Sequence, residues 1–264
     1  MESRLIISQV AERSVVTALR SHAPLKLLTP RNHGHAAWVF QSSLGGGFVG
    51  GDEVRLDVEV EPGATLFLSS QASSKVYRGA RSRFTLEAKV AAGATLCCWP
   101  DPVVCFEGAS LLQRQSFALG PEASLLWVDA WTAGRSANGE RWRCARFESD
   151  SRISLGGEPR FRDAWLLSAD HGELRARLEP LDAFATVVLA GPKLSAARAA
   201  CEAAAEGELP RLEQAAWLSA SRWEWGTVLR VGAPAAGVLA STLRTLLQPH
   251  VAALLGDDPC ARKW

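Results

Sequence analysis

The chain has 264 residues, 47% of them hydrophobic, with 29 Lys and Arg against 28 Asp and Glu and a formal net charge of +1. So much apolar material argues for a packed core and against disorder, and the charge balance argues against a nucleic-acid partner held by bulk electrostatics. No run of apolar side chains reaches the roughly 20 residues that span a bilayer, and Met1-Glu2-Ser3-Arg4 opens no secretory signal, so the expectation is a cytoplasmic chain with no membrane partner.

In chain order, the first conspicuous stretch is Leu44-Gly45-Gly46-Gly47-Phe48-Val49-Gly50-Gly51-Asp52. Gly45, Gly47 and Gly50 satisfy GxGxxG, but a dinucleotide site needs a strand before the glycines and a helix after them, and here an alternating strand follows. The P-loop reading fails because no Gly-Lys-Ser/Thr follows. What remains is a backbone packed too closely for side chains, with Asp52 capping a turn.

Val54-Arg55-Leu56-Asp57-Val58-Glu59-Val60 alternates apolar and charged residues and predicts a strand with one buried face. Glu61-Pro62-Gly63 turns the chain into a second strand, Ala64-Thr65-Leu66-Phe67-Leu68. The same unit recurs as Leu86–Val90 with Ala94–Trp99, and as Phe117–Leu119 with Ala123–Trp127. Aligned alanines, Ala64, Ala94 and Ala123, fall at nearly constant spacing, which predicts stacked β-layers, each too small to bury its own face.

The predicted fold class is therefore mainly β, with stacked, helical-like sheet layers and a few C-terminal helices. The expected organisation is one domain over 1–264, with a β-rich core at about 40–190 and a mixed part at about 195–264. In the latter, Ser195 is the expected N-cap of a helix over Ala196–Glu206, closed by Gly207. Arg222–Val231 reads as a strand, and Val238, Leu239, Thr242, Leu243, Leu246 and Leu247 trace a helical stripe stopped by Pro249.

No G-x-S-x-G or H-E-x-x-H occurs, and the five histidines are scattered. His33-Gly34-His35 puts two imidazoles on one side of an extended segment, a possible metal pair, although two loop histidines beside a glycine is the more ordinary outcome. The six cysteines have no CxxC spacing and read as reduced, mostly buried thiols, with adjacent Cys97 and Cys98 pointing to opposite faces of a strand. Lys75-Val76-Tyr77-Arg78, with Arg81 and Arg83, forms a basic cluster that suits either an anion or a solvated hairpin end.

Taken together, Gly46-Gly47-Phe48-Val49-Gly50-Gly51-Asp52, Ser70-Gln71-Ala72-Ser73-Ser74-Lys75-Val76-Tyr77-Arg78 and Trp99-Pro100-Asp101-Pro102 resemble the UreD (UreH) family of urease accessory proteins. Leu126-Trp127-Val128-Asp129, Gly134-Arg135, Gly139-Glu140 and Arg162-Asp163 extend the resemblance over most of the chain. Ser70 stands where the family more often has Thr, and Cys105 where proline is usual. Trp264 closes a looser version of the family's terminal motif and is expected to dock on the body or a partner.

The resemblance implies a non-enzymatic nickel chaperone. Such a protein binds UreF and, through it, the GTPase UreG; the assembly docks on urease apoprotein and helps insert Ni²⁺ into its active site. No cofactor is held permanently, and Ni²⁺ passes in transit along an internal polar passage. Imidazole and thiolate would trap nickel, so sparse carboxylates, carbonyls and water suit a conduit. By analogy with the family and by position, Asp52, Ser74, Asp129, Asp163 and Glu140, with Asp101, are the candidate path groups, each reading equally well as a turn cap or as the hydrogen-bond partner of a buried backbone amide. The competing reading is a carbohydrate-active β-solenoid enzyme using paired carboxylates such as Asp101 and Asp129, which requires an acidic pair facing an open groove.

Overall fold

The computed structural model describes residues 2–207 and 216–262, so the expected docking of Trp264 lies outside the described residues. In chain order the first strands are β1 (Ser3–Val10), β2 (Arg13–Arg20), β3 (Leu25–Leu28), β4 (Ala37–Ser43), β5 (Gly47–Phe48) and β6 (Glu53–Val60). They are followed by β7 (Thr65–Ser70), β8 (Ser74–Val76), β9 (Ser82–Val90), β10 (Thr95–Cys98), β11 (Val103–Cys105) and β12 (Ser110–Leu119). The rest are β13 (Ser124–Thr132), β14 (Arg146–Leu155), β15 (Glu158–Ser168), β16 (Ala183–Ala190), β17 (Trp217–Trp223) and β18 (Gly226–Ala233). Three α-helices are described: α1 (Leu174–Leu178), α2 (Ser195–Ala205) and α3 (Ala236–Leu255).

Two sheets face each other. One has seven strands in the order β15-β14-β12-β9-β6-β1-β2; the other has eleven and runs β17-β18-β16-β13-β10-β7-β4-β3, with β11, β8 and β5 continuing it to one side. The repeat explains the architecture. Within each unit the first strand joins the seven-stranded sheet and the second crosses to the eleven-stranded one. Like strands then pair parallel: β6 with β9 and β9 with β12 on one side, β7 with β10 and β10 with β13 on the other. The turns stack as well, Gly63 N–H donating to Ala92 O (3.2 Å) and Gly93 N–H to Pro121 O (2.9 Å).

Sequence and structure part company at four places. Strand structure starts at Ser3 rather than near residue 40, because β1 extends the solenoid sheet by pairing parallel with β6 before β2 turns back against it. Ser195 is the first residue of α2 and not its cap, since Pro192–Leu194 already form a 3₁₀ turn and Leu194 takes the capping position. The single strand expected over Arg222–Val231 is a hairpin, β17 and β18, turning at Glu224-Trp225. Pro249 lies inside α3 and does not stop it: the stripe continues through Val251 and Leu255, both fully buried, and this packing outweighs the lost backbone hydrogen bond.

The outer face of the eleven-stranded sheet packs Phe67, Cys97, Leu126 and Val187 against α2 and α3. By length and apolarity α3 passes for a membrane span, its 20 residues having a mean hydropathy of 1.2; here its apolar stripe is docked on the sheet.

One turn of the solenoid departs from its copies. Gly63 and Gly93 take left-handed φ values of 74° and 63°, whereas the equivalent place in the third copy is Glu122, at φ 56°. A side chain in that region is strained by roughly 1 kcal/mol, partly offset by the greater freedom glycine has when unfolded. Replacing Glu122 with Gly should therefore stabilise the fold by up to about 1 kcal/mol, read as a higher urea midpoint at unchanged slope.

Candidate functional site

The space between the sheets is not uniformly apolar. Along β13 the inward residues are Leu125, Trp127, Asp129 and Trp131; along β14 they are Phe147, Ser149, Ser151 and Ile153. On β12, Gln113 and Gln115 stand between Leu111 and Phe117. In each case the polar residue separates two apolar clusters, one around Phe117, Trp127 and Ile153, the other around Trp131, Phe147 and Leu167. Strand register lines these breaks up. Gln113 pairs with Ser149, and Gln115 with Ser151, which in turn pairs with Asp163 of β15. On the facing sheet Asp129 pairs with Thr186, and Thr186 with Arg230 of β18. A polar layer thus crosses the molecule between two greasy ones.

Asp129 and Asp163 are both buried, 4% and 6% exposed, and are held in different ways. Asp129 takes only neutral donors: Gln113 Nε2 at 2.8 Å on Oδ1 and Ser149 Oγ at 3.1 Å on Oδ2. Asp163 is paired with the Arg230 guanidinium at 2.8 and 3.2 Å, and its Oδ2 also accepts from Thr186 Oγ1 and Trp165 Nε1, each at 3.0 Å. Arg230 donates to Thr186 Oγ1 as well (3.0 Å), and its guanidinium lies over the Trp165 ring.

At its Asp129 end the layer meets a cavity of about 220 Å³. The rim is built from Ser43, Gly46, Gly47 and the Gln71–Ser74 loop; the floor includes Cys98, Asp101, Gln113 and Asp129. Asp101 reaches this space because β10 pairs with β13 as far as Cys98–Trp127 and β11 resumes at Val103–Trp131, so the chain between them carries one residue more than its partner. Pro100 and Pro102 suit such a bulge, having no N–H to pair. Ser70 ties it down, its Oγ accepting from Asp101 N at 2.7 Å and donating to Asp101 Oδ2 at 3.1 Å.

Of the residues singled out from sequence, the structure brings Asp129 and Asp163 onto the layer and puts Ser74 and Asp101 on the cavity wall. Asp52 is not on that wall. It closes the glycine loop, its carboxylate accepting from Val49 N at 2.8 Å. The loop must be glycine-rich because a Cβ on Gly47 would sit 2.1 Å from Lys75 O. Glu140 also lies off the layer, paired with Arg135, which holds its carboxyl below the usual range. His33 and His35 are exposed on a loop anchored by His33 N–H to Asp257, and no group of three metal-binding side chains occurs among the described residues.

Gln113, Ser149, Thr186 and Arg230 went unnoticed in the sequence, as did Cys98's place on the cavity. The interruption of an apolar face by Gln113 and Gln115 was a visible signal. Burial pushes the Cys98 thiol up, with the charge of Asp129 adding to the effect, so in the metal-free chain Cys98 is a thiol and not a thiolate. The glycosidase reading finds Asp101 and Asp129 on one cavity, but both oxygens of Asp129 are already engaged, and 220 Å³ is below the roughly 300 Å³ of even a small ligand pocket.

Comparison with known proteins agrees with the motif resemblance. The family model described as "UreD urease accessory protein" matches residues 2–264. The urease accessory protein UreD of Sorangium cellulosum is 46% identical over 261 residues, covering 98% of this chain and 83% of that protein. The Anaeromyxobacter UreD is 40% identical over 263 residues, 98% of this chain and 88% of its own. Urease accessory protein D of Arabidopsis thaliana is 34% identical over 200 residues, 72% of this chain and 68% of its own.

Desolvation raises the Asp129 carboxyl from the usual 3.8 to about 6, with the nearby charge of Asp163 adding to it and the Gln113 and Ser149 hydrogen bonds opposing it. A carboxyl raised by folding favours the native state while protonated. That contribution is complete below about pH 4 and lost as pH rises through about 6. Asp129→Asn removes the charge, keeps its Oδ1 accepting from Gln113 Nε2, and turns the Ser149 hydroxyl from donor to acceptor towards the new amide NH2. It should be more stable than the parent above pH 7, by up to about 3 kcal/mol at roughly 1.4 kcal/mol per unit, and the gain should vanish near pH 4 in a pH series of thermal midpoints.

Proposed function

The chain belongs to the UreD family of urease accessory proteins, and from that premise we propose that it serves urease maturation as a cytoplasmic, non-catalytic nickel chaperone. In this reading it binds UreF, reaches the GTPase UreG through UreF, and docks on urease apoprotein. Ni²⁺ is cargo: it enters the cavity at the Ser43–Gly47 rim, moves along the polar layer, and leaves towards the apoprotein.

The single observation that carries the passage is the polar layer itself, a band of Gln, Ser, Thr and Asp side chains leading inward from the cavity between two apolar clusters. Its chemistry suits transit. Amide and hydroxyl oxygens are feeble nickel ligands and carboxylates modest ones, and the thiol at the cavity, pushed up by burial, must give up its proton before it can ligate. An ion so held is stabilised enough to enter a low-dielectric interior without being trapped. Asp129 and Asp163 are the anionic stations and Ser74 lies at the entrance; Asp52 and Glu140 act by shaping the surrounding loops.

Docking has its own support. Leu44 and Val49 flank the rim at 59% and 54% exposure, and Trp217 and Trp225 stand out on the β17–β18 hairpin. Such apolar surface is expected of a chain that works in a complex. Co-expression with UreF should therefore raise its soluble yield and give a stable co-purifying complex; a chain that is monodisperse alone and ignores both UreF and urease would refute the chaperone reading. With Asp129→Ala, that complex should persist while the nickel content and activity of the matured urease fall several-fold. Full nickel loading by the variant would remove the passage and leave the chaperone standing.

A further inference from the structure

On the passage reading, one end of the route is closed by an ion pair. We infer that Arg230 is a displaceable counter-ion, a cationic plug that a divalent ion must push off Asp163 to leave the layer at the β15–β18 end.

The first ground is the unequal treatment of two buried acids. Asp129 is held by neutral donors alone, whereas Asp163 carries a guanidinium across both oxygens. A structural ion pair serves its purpose by staying closed. This one sits where the seven-stranded sheet ends at β15 and the layer meets solvent. The Arg230 side chain is 43% exposed while that of Asp163 is 7%, so the guanidinium can swing into water and the carboxylate stays behind.

The second ground is charge balance. Ionised Asp129 and Asp163 carry two negative charges and Arg230 one positive. A divalent cation between the carboxylates neutralises them only if Arg230 has left; with Arg230 in place the buried layer would hold a net positive charge, which a low-dielectric interior penalises heavily. Cargo and guanidinium therefore exclude each other.

The third ground is a spare ligand at the same spot. Ser151 pairs in register with Asp163, its side chain is on the inner face, the residue is 1% exposed, and its Oγ has no hydrogen-bond partner. A buried hydroxyl left unmatched is unfavourable unless something else occupies the site at times. Together with Asp163 and the Thr186 hydroxyl that Arg230 now engages, it offers oxygen ligands to a cation standing where the guanidinium stands.

The test measures binding of Ni²⁺ alone to the full chain, by itself or in its complex with UreF, by equilibrium dialysis. Arg230→Met keeps an unbranched stem beside Trp165 and removes the competing charge. It should bind Ni²⁺ at least about tenfold more tightly than the parent, the scale set by a charge-assisted hydrogen bond. Arg230→Lys, which keeps the charge, should stay near the parent, and adding Asp163→Asn to Arg230→Met should abolish the gain. Arg230→Gln carries the same expectation should Arg230→Met fail to fold. Unchanged or weaker binding in the neutral variants, or a gain that survives Asp163→Asn, would overturn the plug, since loss of a like charge anywhere nearby raises affinity without needing the Asp163 carboxylate. The Asp129→Ala measurement on matured urease separates the two readings: reduced nickel loading with no gain in the neutral Arg230 variants defeats the plug alone, and unchanged loading defeats the passage.

Discussion

Parallel pairing in register is the constraint from which the rest of the molecule follows. When successive coils pair residue for residue, a position in one coil lies level with its counterpart in the next, as Leu56 does with Leu86 and Thr65 with Thr95. Apolar residues repeated at one level become an apolar stripe. The same rule makes polar residues at a shared level into a continuous row, and β16 and β18 extend that row by antiparallel pairing with no change of level.

That row divides the inter-sheet core. Burying Asp129 and Asp163 costs several kcal/mol before their hydrogen bonds are counted, and an apolar replacement of similar volume would commonly be no less stable. The apolar clusters on either side, anchored by Phe117 and Trp127 above and by Trp131 and Phe147 below, hold the two sheets together despite it. The layer is thus a feature the fold tolerates at a cost, and the proposed passage gives it a purpose. Under that proposal its oxygen ligands and the half-exposed Arg230 guanidinium belong together as the lining of a route for a divalent ion, whereas a core built only for stability has no use for them.

Much of the solenoid was legible because it is local. The alternation in Val54–Val60, the turn residues and the near-constant spacing of Ala64, Ala94 and Ala123 all follow from short-range stereochemistry, and they marked out the stacked strand–turn–strand coils directly. Asp129 and Asp163 were found through motif resemblance, not through pattern. Gln113 left a trace, a break in an apolar face, but Ser149 and Arg230 are unremarkable in their own strands. Only the pairing of β12 with β14, and of β16 with β18, turns them into neighbours of the two acids.

The sequence by itself determined the class of fold, the coil length and the family, since these depend on residue periodicity and on motifs that read the same in any surroundings. Asp52 as a turn cap was legible too, its bond to Val49 being local, whereas tertiary structure decided that Pro249 is carried through a helix, that Cys98 meets a cavity and that Arg230 closes on Asp163. Those outcomes turn on burial and on contacts between residues far apart in the chain, 67 positions for Arg230 and Asp163, where the energy of packing or of pairing a buried charge exceeds any local preference.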